Sequence, residues 1–156
     1  MGTAEPLTVS ITGTGLFTPQ ESISNTELVA SLTESVLKWN AEHAEEIAAG
    51  ALLERELPDE DFIVKASGIR SRYVMEKSGV LDPARMRPRL PTRAEDELGI
   101  QAEMALPAIH EALDQARRRP DEVDAVIVGC SNLQRAYPAV AIEIQDALGA
   151  DGWGYD

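Results

Sequence analysis

The sequence predicts an α/β protein of layered architecture, and three observations carry that prediction. Apolar residues alternate with small polar ones over residues 7–12, and a short, β-branched, almost wholly apolar run fills residues 123–129. Between and after these two runs, apolar residues recur at helical spacing. Strand, helix, basic loop, helix, strand, helix, strand is an order that requires crossover connections, with helices packed on a sheet.

Taken in order, residues 7–12 read as a strand that enters a tight turn at Gly13-Thr14-Gly15. A nucleotide-binding glycine loop is excluded there, because Thr18 holds the third glycine position and Pro19 follows where a helix should begin. Ser24 and Glu27 form a capping box that starts a helix, with Val29, Leu32, Val36 and Trp39 as its apolar stripe. That pattern thins at Glu42, Glu45 and Glu46, with Gly50 as a break and Pro58 as a stop. Residues 85–91 contain Pro88 and Pro91 and cannot be a helix interior, so they read as an exposed loop.

Helical spacing returns over residues 92–118 through Leu98, Ala102, Ala105, Ile109 and Leu113, with Pro107 expected to bend that helix or start a new one. Residues 123–129 have the composition of a strand buried on both faces. Pro138 suits a first helical position, and Val140, Ile144 and Leu148 continue to Gly149, a C-cap. Residues 153–156 begin another strand. A strand met there leaves ladder donors and acceptors to be paired, so the expectation is a sheet completed by residues beyond Asp156.

Composition narrows the functional classes. The 156 residues are 44% apolar and 26% charged, which suits a packed domain and argues against disorder. Asp and Glu number 27 against 14 Lys and Arg, a net charge of -13, so nucleic-acid or anionic-membrane binding is not expected unless the cations are concentrated. No apolar run is long enough to span a bilayer, and the first ten residues carry neither a basic segment nor an apolar signal core. A cytoplasmic location is expected. Pro6 breaks the myristoylation pattern that Gly2 would open. One cysteine, Cys130, and two separated histidines, His43 and His110, offer neither an internal disulfide nor metal-ligand spacing, so no metal is expected. Cys130 reads as an inert packed thiol after a buried strand, His110 as structural or at the surface, and His43, among glutamates, as solvated.

Charge is segregated along the chain. Residues 42–61 hold eight acids and one base, Arg55, whereas residues 65–93 hold eight bases and two acids, Glu76 and Asp82. These are either two solvated surfaces of opposite sign or a functional basic face that attracts a phosphorylated or acidic partner.

Five stretches then share one pattern. Ile11-Thr12-Gly13-Thr14-Gly15-Leu16-Phe17-Thr18-Pro19 with Asn25-Thr26-Glu27-Leu28 resembles the amino-terminal signature of β-ketoacyl-acyl-carrier-protein synthase III, of the thiolase superfamily. Asp61-Phe62-Ile63-Val64 and Ser67-Gly68-Ile69-Arg70-Ser71-Arg72 resemble that family's loop ending in Gly-Ile-Arg-x-Arg. The apolar run before Ser131-Asn132, the aromatic-Pro pair in Ala136-Tyr137-Pro138-Ala139, and Ile144-Gln145-Asp146-Ala147-Leu148-Gly149 followed by Tyr155-Asp156 complete the match, in the family's order. Neighbouring condensing enzymes share much of it.

The resemblance implies a thiolase-like layered α/β/α fold, of which residues 1–156 would be the amino-terminal half with an incomplete mixed sheet. Insertions are expected near residues 34–57 and 79–91, and a carboxy-terminal half is expected beyond these residues. It implies an acyltransferase of fatty acid biosynthesis that moves an acyl group from a thioester to a cysteine and condenses it with malonyl carrier protein as carbon dioxide leaves. No cofactor is implied; coenzyme A or phosphopantetheine thioesters are substrates, acyl carrier protein, acyl-CoA and malonyl carrier protein are the partners, and the enzyme works as a homodimer. The family's cysteine, histidine and asparagine are expected beyond Asp156, so no catalytic residue is assigned within the chain and the chain alone is expected to be inactive.

Substrate-binding positions carry over one by one. Phe62 stands where the family uses an aromatic that stacks on the adenine of coenzyme A, with Lys65 close by and Ala66 where an arginine is frequent, a departure that points to a medium-chain or other non-acetyl primer. Phe62 could instead be a core aromatic. Arg70 and Arg72, one residue apart, would share a face of an extended segment and meet phosphate or carboxylates, or else pair with the acidic 42–61 stretch. Tyr137 falls where an aromatic reaches the partner subunit's acyl pocket and limits chain length, or simply packs at that interface. The basic 65–93 stretch is the expected docking face for the carrier protein. Two other readings stay open: a related acyltransferase of secondary metabolism, and a non-catalytic acidic binding module.

Overall fold

The computed structural model describes residues 8–132 and 134–156. Its elements are β1 (Glu21–Ser24), α1 (Asn25–Glu42), α2 (Ala44–Ala48), α3 (Glu60–Ser67), β2 (Ser71–Val74), α4 (Ile100–Ala116), a 3-10 turn (Pro120–Glu122), β3 (Ala125–Ile127), α5 (Val140–Leu148) and β4 (Trp153–Tyr155). They form two compact units, one of Met1–Phe17 with Thr92–Asp156 and the other of Thr18–Pro91.

The Thr18–Pro91 unit is built on an antiparallel pair, β1 with β2, in the register Ile23 to Arg72. The capping box starts α1 as expected: Ser24 Oγ accepts from Glu27 N at 3.2 Å while a Glu27 carboxylate oxygen accepts from Ser24 N at 2.9 Å. Val36 and the fully buried Ile23 anchor its core. Gly50 follows α2 with a φ of +73°, a conformation glycine adopts without steric cost. His43 is not the solvated residue expected. It is half-buried and stacks on Trp39 with ring centroids 4.3 Å apart, because the two stand one helical turn apart, and the Arg55 guanidinium lies 3.8 Å over the same indole. Three elements, β1, α3 and β2, lie where no strand or helix was expected. Both insertions proposed from the sequence fall in this unit.

In the other unit β3 pairs with β4 in parallel, Val126 against Gly154, α5 packs on the pair, and α4 packs on α5. Ala102, Val140, Ile144, Leu148 and Ala150 are its buried core, with Val123, Val126 and Val128 against them. Gly149 ends α5 at a φ of +67° as the expected C-cap. Several expectations are corrected. The strand after the basic loop regions spans Ala125–Ile127 and is covered on one face only among the described residues: Ile127, pointing away from the helices, is 79% exposed. The helix expected from residue 92 begins at Ile100, after Gly99 as its N-cap, and runs through Pro107 as one element, so no new helix starts there. Pro138 precedes α5 by two positions instead of opening it, since the N-cap is Ala139.

The largest correction concerns residues 7–12. Leu7 lies outside the described residues, and residues 8–12 join no ladder, with Val9 and Ile11 exposed. The chain here runs along α4 instead. Thr14 N donates to Gln115 Oε1 at 2.6 Å and Leu16 N to Glu111 Oε2 at 2.9 Å, so side chains of the helix take donors that a neighbouring strand would otherwise take. Gly13 and Gly15 serve this approach: a Cβ on either would collide with the carbonyls of Ala112 and Ala108. Thr12 and Gly13 line a largely apolar groove of about 860 Å³ with α4, β3 and α5.

Candidate functional site

Four of the five sequence-predicted site residues belong to the Thr18–Pro91 unit. Asp59 caps α3 by accepting from Asp61 N at 2.9 Å, and Ser67 turns the chain at its end by donating to the Ile63 carbonyl at 2.7 Å. On this helix Phe62 is 67% exposed and is not among the buried side chains of the described residues. Lys65, one turn later and also exposed, is its neighbour on the helix surface. An accessible aromatic face beside an ammonium group can stack on a base and meet an anion.

Arg70 and Arg72 do different work. Arg70 is exposed and makes no side-chain hydrogen bond or ion pair among the described residues, while its carbonyl accepts from Asn25 N at 3.1 Å. Arg72 is half-buried: its Nη2 donates to Asn25 Oδ1 at 2.9 Å, Asn25 Nδ2 donates to the Ile69 carbonyl at 2.7 Å, and Arg72 Nη1 is buried without a partner. Neither pairs with the acidic 42–61 stretch among the described residues. Arg72 therefore braces the segment that presents Arg70.

The basic loop after β2 is organised by carboxylates. Glu76 accepts from Ser78 Oγ, from Gly79 N at 2.9 Å and from Arg89 N at 2.5 Å, which holds its pKa down from 4.5 to about 2, Ser78 being the largest cause. Glu27 is likewise held at about 2, chiefly by Lys77, whose Nζ lies 2.6 Å away. Ser31 Oγ anchors the loop to α1 by donating to the Leu81 carbonyl at 2.7 Å. Arg89 is committed to Asp82 and Ser78, and Arg85 to the carbonyls of Arg87 and Pro88. Arg55 is stacked on Trp39, so Lys65, Arg70 and Arg87 are the exposed cations of this unit whose side chains have no ion pair, hydrogen bond or aromatic partner among the described residues.

Tyr137 belongs to the other unit and is 85% exposed at the tip of the segment before α5. Everything around it is tied down. Arg135 Nε meets Glu143 Oε1 at 3.0 Å, and its Nη groups donate to the carbonyls of Glu95, at 3.1 Å, and Glu97. Glu143, only 7% exposed, also accepts from Gly99 N at 2.5 Å, and Gln134 Oε1 accepts from Ile100 N at 2.7 Å, so residues of the Tyr137 segment and α5 cap α4, whose own N-cap glycine has no side chain to do so. Asp156 caps α5 in turn, accepting from Val140 N and Ala141 N at 2.7 Å each. Sequence reasoning passed over Arg135, Glu143 and Asp156. The signal for Glu143 was available: a carboxylate one turn after Val140, on the apolar stripe of a helix, demands a buried partner. Cys130 is half-buried, its Sγ 3.2 Å from the Asn132 carbonyl.

Among the described residues no group of three His, Cys, Asp or Glu side chains is arranged to hold a metal ion, and no helix is long and apolar enough to cross a membrane.

Comparison with known proteins gives these residues a context. No family model matches the chain. It is 54% identical over 126 residues, 81% of its own length, to a β-ketodecanoyl-acyl-carrier-protein synthase of Pseudomonas aeruginosa, of which it covers 36%. It is 31% identical over 108 residues to a β-ketoacyl-acyl-carrier-protein synthase III of Granulibacter bethesdensis, covering 69% of the chain and 31% of that relative. The chain thus spans about a third of the length of the curated relatives it matches. Among solved structures it resembles the tetronic acid condensing enzyme AbyA1, with a TM-score of 0.60 and 24% identity over 95% of this chain and 34% of that one. It also resembles the 3-oxoacyl-acyl-carrier-protein synthase III of Aquifex aeolicus, with a TM-score of 0.56 and 21% identity over 93% of this chain and 32% of that one. The fold is a partial thiolase-like α/β fold.

Proposed function

We propose that this chain, homologous to part of the β-ketoacyl-acyl-carrier-protein synthase III enzymes, is the substrate-receiving portion of a condensing acyltransferase of fatty acid biosynthesis. The complete protein takes an acyl group from a coenzyme A or carrier-protein thioester onto a cysteine. Loss of carbon dioxide from malonyl carrier protein leaves a carbanion that attacks this acyl thioester, and the new ketoacyl chain departs on the carrier protein as the thiol is released. The nucleophile and its histidine and asparagine partners stand outside these 156 residues. The observation that carries the reading is the 54% identity to a β-ketodecanoyl-acyl-carrier-protein synthase.

The resemblance and the exposure of these side chains support the remaining roles. Phe62 offers its exposed face to the adenine of coenzyme A, with Lys65 and Arg70 toward the phosphates. Arg72 braces that face and does not touch ligand. Tyr137 projects into the neighbouring protomer of a homodimer and limits acyl length. With Ala66 in place of an arginine, and with a relative named for a ketodecanoyl product, the primer is a medium-chain acyl group. Arg87 contributes to carrier-protein docking, since it is an exposed cation not used within its own loop and the carrier protein presents acidic groups.

The test is primer-dependent release of carbon dioxide from malonyl carrier protein by the full-length polypeptide, with acetyl-CoA and medium-chain acyl-CoA compared. Release that prefers the medium-chain primer is expected; absence of primer-dependent release defeats the reading. Arg87→Glu is expected to raise KM for malonyl carrier protein several-fold with kcat unaltered, and an unchanged KM would remove Arg87 from the docking face.

A further inference from the structure

We infer that Arg135 and Glu143 are positioning residues for the Tyr137 segment, a buried clamp that makes the acyl-length limit rigid. The inference rests on the proposed role of Tyr137 and concerns residues to which no function is otherwise assigned. Three observations carry it. Glu143 is a carboxylate 7% exposed, and burying one costs free energy unless it is paired and hydrogen-bonded. Both of its oxygens are used, one by Arg135 Nε at 3.0 Å and one by Gly99 N at 2.5 Å. All three donating nitrogens of Arg135 are used as well, on Glu143 and on the carbonyls of Glu95 and Glu97.

The clamp therefore joins three pieces of chain: residues 95–99 before α4, the first turn of α5, and the segment two residues from Tyr137. Gly99 fits the same design, since a Cβ there would stand 2.8 Å from Glu143 Oε2. Within its own chain a tyrosine 85% exposed has no packing to fix its direction before it meets a partner. Its aim must come from the backbone that carries it. On the amino side that backbone is held by Gln134 and Arg135, and on the carboxy side by α5, whose first two N–H groups Asp156 caps. A side chain that selects acyl length by filling space discriminates only if it cannot yield, so loosening the clamp blurs selection while leaving Tyr137 present.

Glu143→Gln keeps shape and an acceptor for Gly99 but removes the charge that holds Arg135; Arg135→Lys is the second variant, should the first fold poorly. Two readouts separate the inference from the function it rests on. By amide hydrogen exchange of the full-length protein, exchange over residues 95–99 and 134–139 is expected to rise about tenfold, with β1 and β2 unchanged. In the full-length protein, the ratio of kcat/KM between a medium-chain and a longer primer is expected to fall severalfold, and this fall is expected to vanish when Tyr137→Ala is already present. Exchange that stays unchanged in both variants overturns the clamp. A selectivity change that persists in the Tyr137→Ala background overturns its action through Tyr137. Faster exchange together with a Tyr137→Ala protein of normal selectivity supports the clamp and instead defeats the acyl-length role of Tyr137.

Discussion

The loop around Glu76 and the segment around Tyr137 are both held by carboxylates, and they are held in opposite ways. Glu76 is hydrogen-bonded by residues within its own loop, Ser78, Gly79 and Arg89, and the Arg89 ion pair with Asp82 is open to water. Glu143 is buried and takes its partners from 44 residues upstream and eight residues upstream, at Gly99 and Arg135. The difference teaches where charge matters in this molecule. Exposed pairs shape a loop at small energetic cost and benefit, whereas a buried pair makes three distant pieces of backbone interdependent.

That contrast can be broken most directly by truncation. Glu143→Ala strands the Arg135 guanidinium and the Gly99 N–H, and is expected to cost about 3 to 5 kcal/mol of stability in urea unfolding. Asp82→Ala, at the exposed Arg89 pair, is expected to cost less than about 1 kcal/mol. Equal costs would dissolve the distinction. Next in size is Ser24→Ala, which removes the cap of α1 and is expected to cost about 1 kcal/mol in the same measurement.

The smallest effect is the response to acid. Glu27 and Glu76 have folded pKa values near 2, below the usual 4.5, so their contribution is fully present above pH 4.5 and is lost as the pH falls from there through about 2. Glu27 and Glu76 are expected to shift in NMR titration with midpoints near 2, accompanied by loosening of the basic loop. Midpoints near 4.5 would mean that the loop is not organised by its carboxylates.

The same contrast explains what could be read in the sequence. Features whose partners lie within a few residues were legible: the Ser24 and Glu27 box, the Gly149 cap and the helix-incompatible prolines of the basic loop. Features whose partners are remote were not. The antiparallel pairing of Ser24 with Ser71 joins residues with three helices and the whole acidic stretch between them, and nothing in residues 21–24 alone announces it. Residues 7–12 show the reverse error. Their alternation fits a strand, but period two reports on faces and not on whether a neighbour pairs. Of the candidate site, the exposed Phe62, Lys65, Arg70 and Tyr137 were visible through resemblance, while the bracing of Arg72 by Asn25 and of Tyr137 by Arg135 and Glu143 required coordinates.

The most direct measurement is intact-mass analysis of carrier protein after the full-length polypeptide has acted on a medium-chain acyl-CoA and malonyl carrier protein. A new species bearing the primer lengthened by two carbons as a β-ketoacyl thioester is expected, with the acyl intermediate on a cysteine other than Cys130. Unaltered malonyl carrier protein, or an acyl group recovered on Cys130, would contradict it.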